Sequence, residues 1–240
     1  MARPSVYSSE TLDAWSDESV ESARTILPLV FALSRPASVV DVGCSIGNWA
    51  AVCRELGVED VTGVDGDYVD RSALRIPADR FVAHDLVQPL RLHRSFDLAI
   101  SLEVAEHLPG ERAEGLVADL CGLAPMVLFS AAIPYQGGLQ HVNEQWPAYW
   151  AQRFAEHGFT PVDCVRDEVW DDPRVSPWYA QNTLLFVAEH VRTPAIREHY
   201  GFGRSLARVH PAVFTKYAAG RHQLLRRRVT ERLAALRARR

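Results

Sequence analysis

The segment Ser38–Trp49, which reads Ser-Val-Val-Asp-Val-Gly-Cys-Ser-Ile-Gly-Asn-Trp, constrains this chain more than any other. An apolar run with Asp41 near its end, glycines at 43 and 47, and then a helical pattern describe a strand, a tight turn and a helix. At such a junction the carboxyl end of the strand and the free N–H groups of the helix converge on one point. Glycine lets a ligand approach the backbone where a Cβ would clash. The junction therefore predicts a nucleotide-like ligand.

From about residue 18 to 190, short apolar runs alternate with amphipathic stretches. The expected strands are Ser38–Gly43, Val61–Asp65, Phe81–Asp85, Phe96–Leu102, Met126–Ile133, Pro161–Val165 and Asn182–Ala188. Most are continuous apolar runs, as strands covered on both faces are. Asn48–Leu56 places Trp49, Val52, Cys53 and Leu56 on one helical stripe and stops at Gly57. Pro147–His157 begins with proline at the first helical position and ends before Gly158. An earlier helix is expected over roughly Glu18–Leu33, kinked at Pro28. This alternation indicates an α/β fold with a mostly parallel, doubly wound sheet.

No stretch approaches the roughly 20 apolar residues of a membrane span. Nor does an apolar region follow Met1–Ser5 as in a secretory leader. Cys44, Cys53, Cys121 and Cys164 are scattered in apolar surroundings, so small buried residues in a reducing cytoplasm are expected. The net charge is −4, yet residues 221–240 hold eight Arg and one Glu, which leaves −11 on the rest. An acidic body opposes broad nucleic-acid binding. The basic tail carries Leu225, Val229, Leu233 and Leu236 on one helical stripe. A terminal helix is expected there, packed on the acidic body or on a second copy in a homodimer.

Three acids, Asp41, Asp65 and Asp85, end three successive expected strands. Strand ends share one edge of a parallel sheet, where ligands bind at the topological switch point. Asp65, in Gly63-Val64-Asp65-Gly66, suits ribose hydroxyls, and Asp85 an adenine amino group. A dinucleotide fingerprint requires GxGxxG, whereas here Gly43-x-Ser45-x-Gly47 is followed by Asn48 and the bulky Trp49. Lys216 is the sole lysine, so a Tyr-x-x-x-Lys pair is also lacking. A nicotinamide oxidoreductase is disfavoured.

Together these residues resemble the class I S-adenosylmethionine-dependent methyltransferases, in the subset that acts on small molecules. Asp41-Val42-Gly43-Cys44-Ser45-Ile46-Gly47 resembles that family's glycine-rich first motif, with Ser45 where glycine is commoner. Asp65 falls at the ribose-binding acid, and His84-Asp85-Leu86 resembles the adenine-contacting segment. Phe96–Leu108 is similar to the fourth motif. The resemblance covers about residues 18–190. It implies a Rossmann-like, seven-stranded sheet with flanking helices and an antiparallel last strand. It implies S-adenosylmethionine as cofactor, held at the first turn by Asp41, Gly43, Cys44, Ser45, Gly47, Asn48 and Trp49. The remaining cofactor contacts would come from Asp65 and Gly66, from His84, Asp85 and Leu86, and from Leu102, Glu103 and Val104. A bland alternative has Glu103, Glu106 and His107 merely beginning an exposed helix. Ser101-Leu102-Glu103-Val104 replaces the Asn/Asp-Pro-Pro-aromatic motif used on nucleic-acid bases, which argues against that substrate class.

A second segment, Ile133–Pro147, leaves the same sheet edge and contains Gly137-Gly138, His141, Asn143 and Glu144. It resembles a GG-x-x-H-x-NEQWP loop of some small-molecule methyltransferases. Methyl transfer from a sulfonium is an in-line displacement, so alignment carries much of the catalysis. A hydroxyl nucleophile also gains from a general base. His141 is the first choice, since imidazole ordinarily titrates near neutrality. Glu144 is expected to orient His141 or the substrate, and His107 is the third candidate. No tight ligand spacing marks a metal site, and none is assigned; His141, Glu144 and Asp171 would be the conceivable ligands. Trp150 and Phe154 read as the buried stripe of their helix, while Trp170–Tyr179 reads as a lid over the acceptor.

The expected organisation is a methyltransferase domain over residues 1–190 and a helical, Arg-rich extension over 191–240. The expected activity is methylation of a small-molecule hydroxyl on a sugar or secondary metabolite, in the cytoplasm, with neither nucleic acid nor membrane as partner. Methylation of a small-molecule amine, or a module that binds the cofactor without turnover, are the alternatives.

Overall fold

The computed structural model describes the backbone of residues 9–199 and 205–216, and side chains from residue 17 onward. The stripe from Leu225 to Leu236 and the basic tail lie outside the described residues. Seven strands form one sheet: β1 (Ser38–Val42), β2 (Asp60–Asp65), β3 (Phe81–Ala83), β4 (Leu98–Leu102), β5 (Met126–Ser130), β6 (Phe159–Val162) and β7 (Leu184–Ala188). Their order is β3-β2-β1-β4-β5-β7-β6. All pairs from β3 to β5 are parallel, and β7 runs antiparallel to both β5 and β6. The strand order reverses between β1 and β4, so the ligand crevice belongs at their carboxyl ends.

Alternate residues of each strand enter two separate apolar cores. Val39, Val61, Leu98, Ile100 and Leu185 join one, with α1 (Ser9–Leu33) and α2 (Asn48–Glu55) above them. Val40, Val42, Val64, Phe129 and Phe186 join the other, with α3 (Ala113–Leu123) and α4 (Pro147–Glu156). Burial on both faces is why these strands read as continuous apolar runs. Trp150 and Phe154 are buried on α4, and Phe154 stacks on Phe186 with ring centroids 3.9 Å apart. Helix α1 continues through Pro28.

The strand ends differ from expectation where polar chemistry intervenes. β3 stops at Ala83, because the Asp85 carboxylate accepts the Val87 N–H and turns the chain. Asp85 is therefore not a strand-end acid. β6 begins at Phe159 and ends at Val162; Pro161 is tolerated because β6 is an edge strand. Pairing of β5 ceases at Ser130, although Ala131, Ala132 and Ile133 stay buried. Asn182 closes α6 (Pro177–Asn182) rather than opening β7.

Trp170–Tyr179 is not a free lid. It runs from α5 (Arg166–Val169) into α6, with Val175, Ser176 and Tyr179 buried, and the Ser176 N–H donates to Ser22 Oγ on α1 at 3.0 Å. Past residue 190 come α7 (Pro194–Glu198) and a helical stretch at 211–216. The chain between them docks on fully buried Arg166, whose guanidinium forks onto Asp163 at 2.9 and 2.6 Å and donates to the Leu206 carbonyl at 2.7 Å. Arg208 adds a bond to Asp163 at 3.1 Å. Among the described residues, no helix is long and apolar enough to cross a membrane.

Candidate active site

The turn after β1 is shaped by three left-handed residues: Gly43 at φ 84°, Ser45 at 52° and Gly47 at 88°. A Cβ on Gly43 would lie 2.3 Å from Val104 Cγ2, so glycine lets the turn seat against the segment after β4. The Gly43 and Cys44 N–H groups both donate to the Val64 carbonyl, which ties the turn to β2. Ser45 bears the strain a side chain meets at positive φ. Ser45→Gly is expected to raise stability by about 0.5–1 kcal/mol, because relief of strain exceeds the added entropy of the unfolded chain. Urea unfolding measures this; an unmoved midpoint would show Ser45 to be at ease.

Asp65 ends β2 and is buried. Its Oδ2 accepts the Ser45 N–H at 2.7 Å, and Oδ1 accepts the Gly66 N–H at 2.6 Å and the hydroxyl of Tyr68. Tyr68 is 75% exposed, so its ring lies over Asp65 at the protein surface. Asp41 is buried, and among the described residues its Oδ2 has no hydrogen-bond partner. Burial and the nearby Asp65 charge push its pKa up to about 7, while the Ala50 N–H of α2 pulls the other way. The Asp65 carboxylate, joined by Asp41 when it ionises, would repel a pyrophosphate and favour a cationic ligand such as a sulfonium. The residues thus fit the cofactor expected from the sequence. Asn48 and Trp49 are buried on α2, where Trp49 packs edge-on to Tyr179 with centroids 5.2 Å apart. His84 N–H donates to the Asp65 carbonyl at 2.7 Å, Leu86 is buried in the second core, and Asp85 is exposed.

Beyond β4 the chain does not begin an exposed helix. Leu102 and Val104 are buried, and a single 3-10 turn, Ala105–His107, follows. Glu103 adopts φ 55°, and its N–H reaches Ser130 O at 3.0 Å. Strain of this kind gathers at functional sites. The Glu103 carboxylate accepts Asn182 Nδ2 at 3.1 Å and Gln136 Nε2 at 2.9 Å. Gln136 Oε1 in turn accepts from Asn182 and Gln181, and Gln181 Oε1 accepts the His210 N–H. Glu106 is 0% exposed, and among the described residues neither of its carboxyl oxygens makes a well-formed hydrogen bond, although the Glu103 carboxyl and the Ala132 N–H face it. Burial, followed by the Glu103 charge, holds the Glu106 pKa well above the ordinary carboxylate range. Burial also raises Glu103, against the pull of its amide donors. His107 stands at the rim, its pKa lowered by desolvation and by His141.

The loop after β5 is folded around Glu144. Its carboxylate accepts the Tyr135 N–H at 2.7 Å, the Gly137 N–H at 2.9 Å and His141 Nδ1 at 2.9 Å. The carboxylate can only accept, so Nδ1 carries a proton, and in the neutral imidazole Nε2 is the nitrogen with the lone pair. A Cβ on Gly138 would lie 2.1 Å from His141 Nε2, so glycine lets the imidazole settle against the backbone. The Val142 and Asn143 N–H groups donate to the Glu106 carbonyl at 2.8 and 3.1 Å. His107 and His141 meet edge-on, with centroids 4.9 Å apart. All three expected catalytic residues therefore come together beside Glu103 and Glu106. Spacing missed Gln136, Asn182 and Gln181, which arrive from distant segments and carry no motif of their own.

Residues 14–163 match the sequence profile of a family described as a methyltransferase domain. The ribosomal protein L11 methyltransferase of Shewanella piezotolerans is 34% identical over 86 residues. That overlap is 36% of this chain and 24% of the relative, so the match spans about a quarter of the relative's length. Among solved structures, the magnesium protoporphyrin IX methyltransferase of Synechocystis with bound S-adenosylmethionine superposes with a TM-score of 0.54. It is 20% identical, over 75% of this chain and 83% of that one. Human N-acetylserotonin methyltransferase in complex with the same cofactor gives 0.52 at 17% identity, over 75% of this chain and 55% of that one. With more than half of its length matched on this sheet order, the chain belongs to the methyltransferase-domain family and carries the class I, S-adenosylmethionine-dependent methyltransferase fold.

Proposed function

We propose that the protein methylates a hydroxyl of a small molecule, a sugar or a secondary metabolite, with S-adenosylmethionine as donor. When bound, the cofactor supplies an electrophilic methyl group and leaves as a neutral thioether. The first turn, from Asp41 through Trp49, and Asp65 with Gly66 would hold it, with His84–Leu86 and Leu102–Val104 closing the adenine side. The observation that carries the hydroxyl reading is the His141–Glu144 pair at 2.9 Å, beside the carboxyl ends of β4 and β5. A hydroxyl needs its proton removed, whereas a neutral amine does not. Glu144 fixes the imidazole tautomer, and His141 Nε2 offers the lone pair that takes the proton. Half-buried Glu103 and Gln136, with buried Asn182, form a polar wall that keeps its shape because each side chain bonds another.

An acceptor screen that follows S-adenosylhomocysteine release over polyols, phenols and amines tests this reading. Turnover confined to amines would replace it with the second one. Buried Glu106 favours that alternative, since its carboxyl, once ionised, would hold an ammonium group.

Asp65→Ala is expected to weaken cofactor binding by about 1.5–3 kcal/mol, the range for charge-assisted hydrogen bonds. Titration calorimetry with S-adenosylhomocysteine reads the change, and Asp65→Asn, which keeps one acceptor for Ser45, should lose less. An unchanged dissociation constant in Asp65→Ala would remove Asp65 from the ribose site.

A further inference from the structure

We infer that Glu106, His107 and His141 form a binding site for a divalent transition cation next to the cofactor turn. One ligand atom from each residue lies within 4.8 Å of the others. Around a common centre at roughly 2.0–2.2 Å, such atoms need to sit about 3–4.4 Å apart, so modest side-chain rotation closes the site. Sequence spacing suggested no metal because His141 reaches this point from a different loop.

Glu106 points to a cation independently of that cluster. It is fully buried, among the described residues neither of its oxygens makes a well-formed hydrogen bond, and a second carboxyl group, Glu103, stands beside it. A buried carboxyl with poorly made hydrogen bonds is costly to retain, and a bound cation would pair its ionised form. The amides of Gln136 and Asn182 are spent on Glu103, which leaves Glu106 to the cation.

The outer contacts are those a metal-bound histidine needs. Glu144 holds His141 Nδ1 at 2.9 Å, which fixes the tautomer with Nε2 available. The backbone carbonyl of Gln140 accepts from the His107 ring. Two imidazoles and a carboxylate suit manganese, iron, cobalt or zinc better than calcium. Three protein ligands leave coordination positions open, and His107 at the rim turns them toward solvent. On the hydroxyl-acceptor reading, those positions take acceptor oxygens. A bound cation would make such a hydroxyl more acidic, with its proton released to solvent at the open rim, whereas without a cation His141 Nε2 would take that proton directly.

Chelator-treated full-length protein is titrated with manganese(II), followed by the paramagnetic resonance of the free ion, and with zinc(II) by calorimetry. The expected result is about one ion per chain, bound at roughly micromolar concentration or tighter. Glu106→Gln and His107→Ala should each weaken it by at least about tenfold, as should Glu144→Gln through the orientation of His141. S-adenosylhomocysteine binding by the same variants shows that they are folded and tests the cofactor site separately. Wild-type protein that binds S-adenosylhomocysteine but neither ion overturns the inference, as does ion binding that these substitutions leave unchanged. Metal binding without turnover on any hydroxyl compound would instead sink the acceptor reading and leave the cation site standing.

Discussion

His141→Ala is expected to lower turnover by about 10²–10⁴-fold while leaving the affinity for S-adenosylhomocysteine unchanged. The size follows from what the side chain supplies. A neutral hydroxyl is a poor nucleophile, and removal of its proton is the part of the reaction that the sulfonium donor does not assist. The surroundings of the imidazole suit it to proton removal. Glu144 holds Nδ1 at 2.9 Å, and Gly138 leaves room beside Nε2 that any larger residue would fill. Glu144→Gln should also cost heavily, up to about 10⁴-fold, because an amide N–H turned toward Nδ1 favours the other tautomer and puts the proton on Nε2. Turnover needs the acceptor found by the screen, whereas cofactor affinity does not, so the two readouts separate catalysis from folding. Full activity in His141→Ala would remove the residue from the mechanism, whether as base or as metal ligand.

The fold and the cofactor half of the site were legible because their information is local. Strands covered on both faces must be apolar throughout, so β1, β2, β4 and β5 announced themselves within a few residues of their true ends. Gly43, Gly47 and Asp65 are dictated by backbone geometry at one junction and appear in order along the chain. Errors arose where side chains compete with the ladder, as when Asp85 turns the chain after β3. The acceptor half is different in kind. Glu103 is held by Gln136 and Asn182, and through Gln181 the same network reaches His210, well past β7. Amides from separate segments have no spacing to read. Glu106 misleads a sequence reading further, because an acid following an apolar run is ordinarily solvent-exposed. Its complete burial is set by the loop that folds over it and bonds its carbonyl through Val142 and Asn143.

Asp41 is expected to contribute stability to the cofactor-free protein that is lost as pH rises from about 4 to 7, so that Asp41→Asn differs from wild type in slope over that window. The Asp41 carboxyl has an ordinary pKa of 3.8 and is pushed up to about 7 in the folded chain by burial and by the charge of Asp65. The folded state therefore binds the proton more tightly than the unfolded one. The resulting stabilisation is fully present below pH 3.8 and disappears as pH passes through about 7. At roughly 1.4 kcal/mol per pH unit, the whole window is worth at most about 4 kcal/mol. The groups around Asp41 reinforce the direction: Asp65 repels it, and the Cys44 and Cys53 thiols nearby stay neutral because burial raises their own pKa values. Glu103 and Glu106 are raised as well and add slope of the same sign, so the difference between wild type and Asp41→Asn isolates Asp41. Asparagine keeps an acceptor for the Ala50 N–H but buries an extra donor, so absolute stabilities are less informative than slopes. Chemical unfolding at pH 4, 5, 6 and 7 supplies both curves. Parallel curves would mean that Asp41 is ionised in the folded chain and that a partner neutralises it. A shallower curve for Asp41→Asn would establish that this junction holds an uncompensated acid, which a cationic cofactor can relieve and a pyrophosphate cannot.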